Sequence, residues 1–206
     1  MNATLVTSTR LYLHAWQAFI AGVLMSGIAD GSTNLITNGS FETPIVSAGR
    51  FTTFAGGSTG ITGWTVVRSE ASVVNRKFTS FLLQFPANDG SQWLDLTGFL
   101  SSNGDAIRQT VHTVAGKRYD LSFAVGNIFN PEGIYGTTST VAVVVNGVPS
   151  GTFTNSCTTC THSLTWENFT ASFVANSATT LIEFLNNDPV TDNSNGLDSV
   201  VLTEAF

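Results

Sequence analysis

The sequence predicts an all-β protein, a β-sandwich of two antiparallel sheets, on three observations. After residue 30, short runs of β-branched and aromatic residues alternate with turn signals at the spacing of a sandwich or barrel. No segment in that span sustains an apolar period of 3.6 residues, so amphipathic helices are not expected. The composition agrees: Thr and Ser make up about a quarter of the 206 residues, and Thr, Val, Gly and Asn are poor helix formers.

The same composition bounds function. Charged residues are 11% of the chain, where average proteins carry about 25%, so the surface is built from neutral polar groups. Eight Lys and Arg against 14 Asp and Glu give a net charge of -6. Nucleic-acid binding is excluded as a role, because phosphate contacts need Lys and Arg in patches. Disorder is excluded as well: 15 Phe and 4 Trp, with many β-branched residues, supply enough apolar surface to offset ordering.

Residues 1–29 differ from the rest. A polar start leads into the apolar run Leu11–Met25, followed by small residues at Gly27 and Ala29. This is the layout of a secretory signal cleaved after Ala29, and it predicts a secreted, extracellular or cell-surface protein. The run of 15 residues, diluted by His14 and Gln17, falls short of the roughly 20 a membrane span needs. The mature chain is therefore expected to have no integral membrane span. The alternative is a retained hydrophobic arm that packs on a neighbouring subunit. Residues 30–206 read as one domain, with no dividing linker and no fixed-period repeat.

The expected strands, in order, are 64–68, 71–75, 92–97, 106–114, 118–125, 138–146, 165–174, 179–185 and 197–203. Turn chemistry separates them at Asn88-Asp89-Gly90, Ser102-Asn103-Gly104, Asn130-Pro131, Asn146-Gly147 and Asn195-Gly196. Alternation assigns the faces. Tyr119, Leu121, Phe123 and Val125 point one way; Val141, Val143 and Val145 point together, as do Ile182 and Phe184. Leu94 and Leu96 point opposite to Trp93 and Asp95. Two such inward faces specify a core about 10 Å thick.

Cys157 and Cys160 are the chain's two cysteines, in Asn155-Ser-Cys-Thr-Thr-Cys-Thr161. A Cys-x-x-Cys pair could be redox-active, but that use needs a thioredoxin-like βαβ setting, which is absent from the strand pattern, so it is not expected. Zinc would need two more ligands; His162 is near, with no fourth in view. In an oxidising compartment the expectation is a small disulfide pinning a loop tip.

Several motifs resemble a known group. Asn34-Leu-Ile-Thr-Asn-Gly-Ser-Phe-Glu42 followed by Gly63-Trp64 resembles the opening of galactose-binding-like jelly rolls. These include xylan- and glucan-binding carbohydrate-binding modules and a related secreted domain of unknown function from plant cell walls and bacterial exoproteins. Asp89-Gly-Ser-Gln-Trp-Leu-Asp-Leu96, Ile107–Val111, Gly116–Phe123 and the closing Gly196-Leu-Asp-Ser-Val-Val-Leu202 fit the same pattern over residues 33–203. The resemblance implies a jelly-roll β-sandwich, and fold alone does not specify function. It further implies that the Glu of the opening motif and the Asp of the closing strand, here Glu42 and Asp198, meet to hold a structural Ca²⁺ with backbone carbonyls. Those ligand types suit a hard cation; the alternative is that both carboxylates hydrogen-bond the chain without metal. The polar run 186–195 lacks the Gly and Glu positions of an EF-hand and reads as a long loop. With the chain stopping just past the last strand, neither the C-terminal anchor nor the attached catalytic domain that often accompanies such a module is expected.

Catalysis is not expected. The sequence carries no nucleophile elbow, zinc-protease motif or phosphate-binding glycine loop. Asp95, Asp120, Glu132, Glu167 and Glu183 are scattered acids that any β protein has. Binding of an extracellular or cell-wall polysaccharide needs an exposed aromatic with planar polar groups beside it. Trp93 is the first candidate, with Asp95 beside it; Arg108 and His112 are outward residues placed to add hydrogen bonds, and Tyr135 is a second platform. Trp64 and Trp166 are expected to plug the sandwich ends. Two or three aromatics clustered on one face are not evident in the sequence. The competing class is a structural subunit of an extracellular filament or surface layer. Strand 138–146 carries almost no charge and, at an edge, would pair with another chain, and the N-terminal arm would serve in donor-strand assembly. Asn2, Asn38 and Asn168 sit in glycosylation sequons.

Overall fold

The computed structural model describes residues 33–99 and 104–205. The leader or arm at 1–29 lies outside them. The first strands are β1 (Phe51–Ala55), β2 (Thr65–Val67), β3 (Glu70–Asn75), β4 (Thr79–Ser80), β5 (Leu83–Gln84) and β6 (Gln92–Asp95). They are followed by β7 (Ala106–His112), β8 (Arg118–Asn127), β9 (Ser139–Val145), β10 (Val148–Asn155), β11 (Thr165–Val174), β12 (Thr179–Asn186) and β13 (Gly196–Glu204). One sheet has the order β1-β3-β6-β13-β8-β11 and the other β10-β9-β12-β7-β2, while β4 and β5 form a separate hairpin. The strand pairings are antiparallel throughout. The fold is the jelly-roll sandwich.

Alternation produces the core. Tyr119, Leu121, Phe123 and Val125 of β8 face Val141, Val143 and Val145 of β9 and Ile182 and Phe184 of β12 in one buried cluster between the sheets. Each such side chain contributes about 1.5–3 kcal/mol by leaving water. Trp64 joins this cluster, against Phe41 and Phe184. A second buried cluster comprises Val74, Leu83, Phe85, Trp93, Ile128, Tyr135 and Leu164, with Trp166 packed against it. Its strand members Val74 and Trp93 alternate with the inward Val73 and Leu94, so it covers the outer face of the six-stranded sheet.

The opening motif runs beside the closing strand. Leu35 N donates to Leu202 O at 2.8 Å, Asn34 Oδ1 accepts from Leu202 N, and Val200 N donates to Gly39 O. A Cβ at Gly39 would stand 2.0 Å from Val200 O, so this approach requires glycine.

Two expectations change. Strands β1, β4, β5 and β10 were not evident in the sequence pattern. β10 contains Pro149 and Gly151, and the register shifts between them, the bulge and edge position where sheets admit such residues. The uncharged strand expected at an edge, β9, is interior: β10 pairs one side of it and β12 the other. Its backbone has no free row of donors for another chain, so strand pairing through 138–146 is ruled out by the topology.

Candidate functional site

A cavity of about 230 Å³ opens on the outer face of the six-stranded sheet. Trp93 and Asp95 of β6 line it, with Ser72 and Val74 of β3, Phe51 of β1, then Phe78, Ser80, Phe81 and Phe85, and Tyr135. Three of the residues singled out in the sequence therefore share one site. Arg108 and His112 do not. They are exposed on β7, in the other sheet, where Arg108 borders a separate polar depression beside Thr65 and Leu181.

Trp93 is not an exposed platform. It is 1% exposed, stacked on Phe85 at 6.3 Å and edge-on to Trp166 at 5.8 Å. Its Nε1 donates to Phe85 O at 3.1 Å. Alternation put it on the outer face as expected, but the segment 78–87 folds over it. Trp166 belongs to the same outer cluster, its Nε1 donating to Pro86 O at 2.9 Å, rather than to a sandwich end.

The exposed aromatics are ones the sequence reading passed over. Phe81 is 77% exposed and Phe99 69%; both line the cavity. Phe51 stacks on Phe99 at 6.3 Å with an 18° angle between the rings. Phe81 and Leu82 form the tip of the β4–β5 hairpin with φ of 49° and 67°. Bulky residues rarely take left-handed backbone, and two in succession mark stored strain. The signal in the sequence was the contiguous apolar run Phe81-Leu82-Leu83, which breaks the alternation of a surface strand. The hairpin is anchored by the loop before β11: Gln84 N donates to His162 O at 3.0 Å and Leu164 N to Gln84 O at 2.9 Å.

Asp95 supplies the cavity with a carboxyl group. Its Oδ1 accepts from Thr97 N, Thr97 Oγ1 and Asn195 N at 3.1, 2.8 and 3.1 Å. Burial nevertheless pushes its pKa up to about 7, against the hydrogen bonds that lower it. Tyr135, hydrogen-bonded to Ser80, has its pKa raised by burial. The site thus combines aromatic faces at the rim, a carboxyl group, and hydroxyls from Ser72, Ser80 and Tyr135.

Glu42 and Asp198 meet at one turn, away from the residues that line this cavity. Asp198 Oδ2 accepts from Asn88 N and Asp89 N at 2.9 and 3.0 Å, and its Oδ1 from Ser199 N at 2.7 Å. Glu42 Oε1 accepts from Ser91 N and Gln92 N at 2.7 and 2.9 Å. Gly90, between these pairs, has φ of 64°, and a Cβ there would stand 2.4 Å from Glu42 Oε1. The two carboxylates are hard oxygen donors at one turn, as Ca²⁺ requires, but N–H groups already face them. Among the described residues no group of three or more His, Cys, Asp or Glu is placed to hold a metal. The turn is closed by hydrogen bonds, and an ion would add to that closure through Glu42, Asp198 and backbone carbonyls.

Cys157 and Cys160 are free thiols in this structure, where the sequence reading expected a disulfide.

Two antiparallel sheets, with the opening motif bonded to the closing strand, make a jelly-roll β-sandwich. Residues 34–202 match the family described as "Protein of unknown function (DUF642)", and the chain belongs to that family. No curated protein matches it in sequence. Similar solved structures include a family 35 carbohydrate binding module from Clostridium thermocellum, 12% identical over 75% of this chain and 99% of that one, with a TM-score of 0.46. A CBM35 from Paenibacillus barcinonensis is 15% identical over 75% and 99%, with a TM-score of 0.41. A structure titled "CBM4 structure and function" is 17% identical over 82% and 99%, with a TM-score of 0.42.

Proposed function

We propose that the protein is a secreted, non-catalytic module that binds an extracellular polysaccharide at the cavity beside Phe81. The observation that supports this reading is the exposed aromatic rim, Phe81 and Phe99, around a recess that contains Asp95. Aromatic faces pack on the C–H faces of sugars, and carboxyl and hydroxyl groups take the ring hydroxyls. A recess of about 230 Å³ admits little more than one sugar ring, so the rest of the polymer would lie along the rim. Retention on insoluble polysaccharides tests this. Phe81→Ala and Phe99→Ala should each weaken binding about tenfold, the worth of one aromatic contact of ~1.4 kcal/mol, without loss of fold. Arg108→Ala and His112→Ala, on the opposite face, should leave it unchanged. Failure of every polysaccharide tested to retain the wild-type chain would overturn the reading, as would loss of binding only in the Arg108 or His112 variant.

A further inference from the structure

Cys157 and Cys160 lie in the loop joining β10 to β11 and differ sharply in setting. Cys157 is partly exposed, and Cys160 is 5% exposed. The Cys160 thiol donates to Cys157 O at 2.7 Å, and its sulfur lies 3.8 Å from Asn127 Nδ2. That amide also holds Cys157 O and Thr137 O, both at 3.3 Å, and Cys157 N donates to Asn155 Oδ1 at 3.2 Å. The loop is therefore fixed on both sides of the pair. Thr159 Oγ1 lies 3.7 Å from Cys157 Sγ. Burial works against ionisation of Cys157, but donors from Cys160, Thr165 and Thr159 bring its pKa down to about 7. Burial and the neighbouring Cys157 push Cys160 up. Besides the pair itself, the loop's titratable group is His162, whose Nδ1 is engaged by Thr161 Oγ1 at 2.8 Å.

We propose that Cys157 and Cys160 form a thiol–disulfide exchange site, with Cys157 the attacking and Cys160 the resolving sulfur, whose substrate is a dialkyl disulfide. An accessible thiol with neighbouring donors, followed three residues on by a shielded thiol held to the first cysteine's carbonyl, is the arrangement such exchange needs. The Cys157 thiolate attacks one sulfur of the substrate; that S–S bond breaks, and the first thiolate leaves and takes a proton from water. Cys160 then gives its proton to water and attacks Cys157 Sγ, expelling the second thiolate, which is protonated in turn. Two cysteine thiols are oxidised to one disulfide, and one substrate disulfide is reduced to two thiols.

The test uses the reduced full chain, oxidised glutathione as the probe, and mass spectrometry. Wild type should end as an internal disulfide with no adduct. Cys160→Ser should stop at a mixed disulfide on Cys157. Cys157→Ser should react about tenfold or more slowly, because its remaining thiol is shielded and less ionised. In folded wild type, iodoacetamide should label Cys157 first, with a rate midpoint near pH 7. A lasting adduct on wild type, equal rates for the two single variants, or a Cys157 midpoint at the ordinary thiol value of about 8.5 would overturn the proposal. The wild-type labelling decides the matter even where a variant fails to fold.

Discussion

At Asp198 a fully buried carboxylate spends both oxygens on main-chain N–H groups of Asn88, Asp89 and Ser199. Removing such an acceptor strands three donors, and a hydrogen bond to a charged group is worth roughly 1.5–3 kcal/mol. Asp198→Ala should therefore destabilise by about 3 kcal/mol in urea unfolding, with Glu42→Ala costing less because its turn faces solvent. The calcium expected at Glu42 and Asp198 has its own readout at this residue. A chelator should lower the melting temperature of wild type, since an ion bound only to the folded state stabilises it by mass action. It should not lower that of the Asp198 variant. An unchanged wild-type midpoint assigns both carboxylates to the N–H donors alone. Alternation correctly turned Trp93 away from Leu94, but whether Trp93 met solvent depended on Phe85 and Trp166, the second of them far away in the sequence.

Two hairpins differ in how visible they were. Asn146 and Gly147 join β9 to β10 with φ of 51° and 79°, the left-handed pair that Asn-Gly signals. Phe81 and Leu82 take the same kind of backbone between β4 and β5 with no turn chemistry at all. The strands there are two residues each, and the hairpin is held by the 162–164 loop rather than by local preference. Replacing Phe81-Leu82 by Asn-Gly should therefore stabilise the protein, by about 1 kcal/mol in denaturant unfolding, as backbone strain is relieved. It should also weaken polysaccharide retention about tenfold, as Phe81→Ala does. A loss of stability would show that the two apolar side chains are structural contacts instead.

Over the whole molecule, four buried aspartates carry raised pKa values: Asp95, Asp188 and Asp198 at about 7 and Asp192 at about 8. Burial is the first cause in each, and repulsion adds to it: from Glu70 at Asp95, from Asp95 at Asp188, from Asp188 and Asp95 at Asp192, and from Asp89 at Asp198. Unfolded Asp titrates near 3.9, so between about pH 4 and 8 the native state binds more protons than the unfolded chain. Stability from these groups is full below the unfolded value and is lost as pH rises through 7 to 8. The melting temperature should be higher at pH 5 than at pH 8, and Asp192→Asn should flatten the difference. A rise from pH 5 to pH 8 would contradict this.

Period-two alternation and Asn- or Gly-marked turns were enough to determine the sandwich, the inward faces of β8, β9 and β12, and the side of β6 on which Trp93 and Asp95 stand. The reason is that both signals are local, set by neighbours along the chain. Position within the sheet is not local. Which strand is an edge depends on pairing partners, and a weak strand with Pro149 and Gly151 covers β9 where the uncharged sequence of β9 suggested an open edge. The cavity is a matter of tertiary structure for the same reason. Its rim comes from β1, a two-residue hairpin and the segment after β6, brought together only when the 78–87 segment folds across the outer sheet.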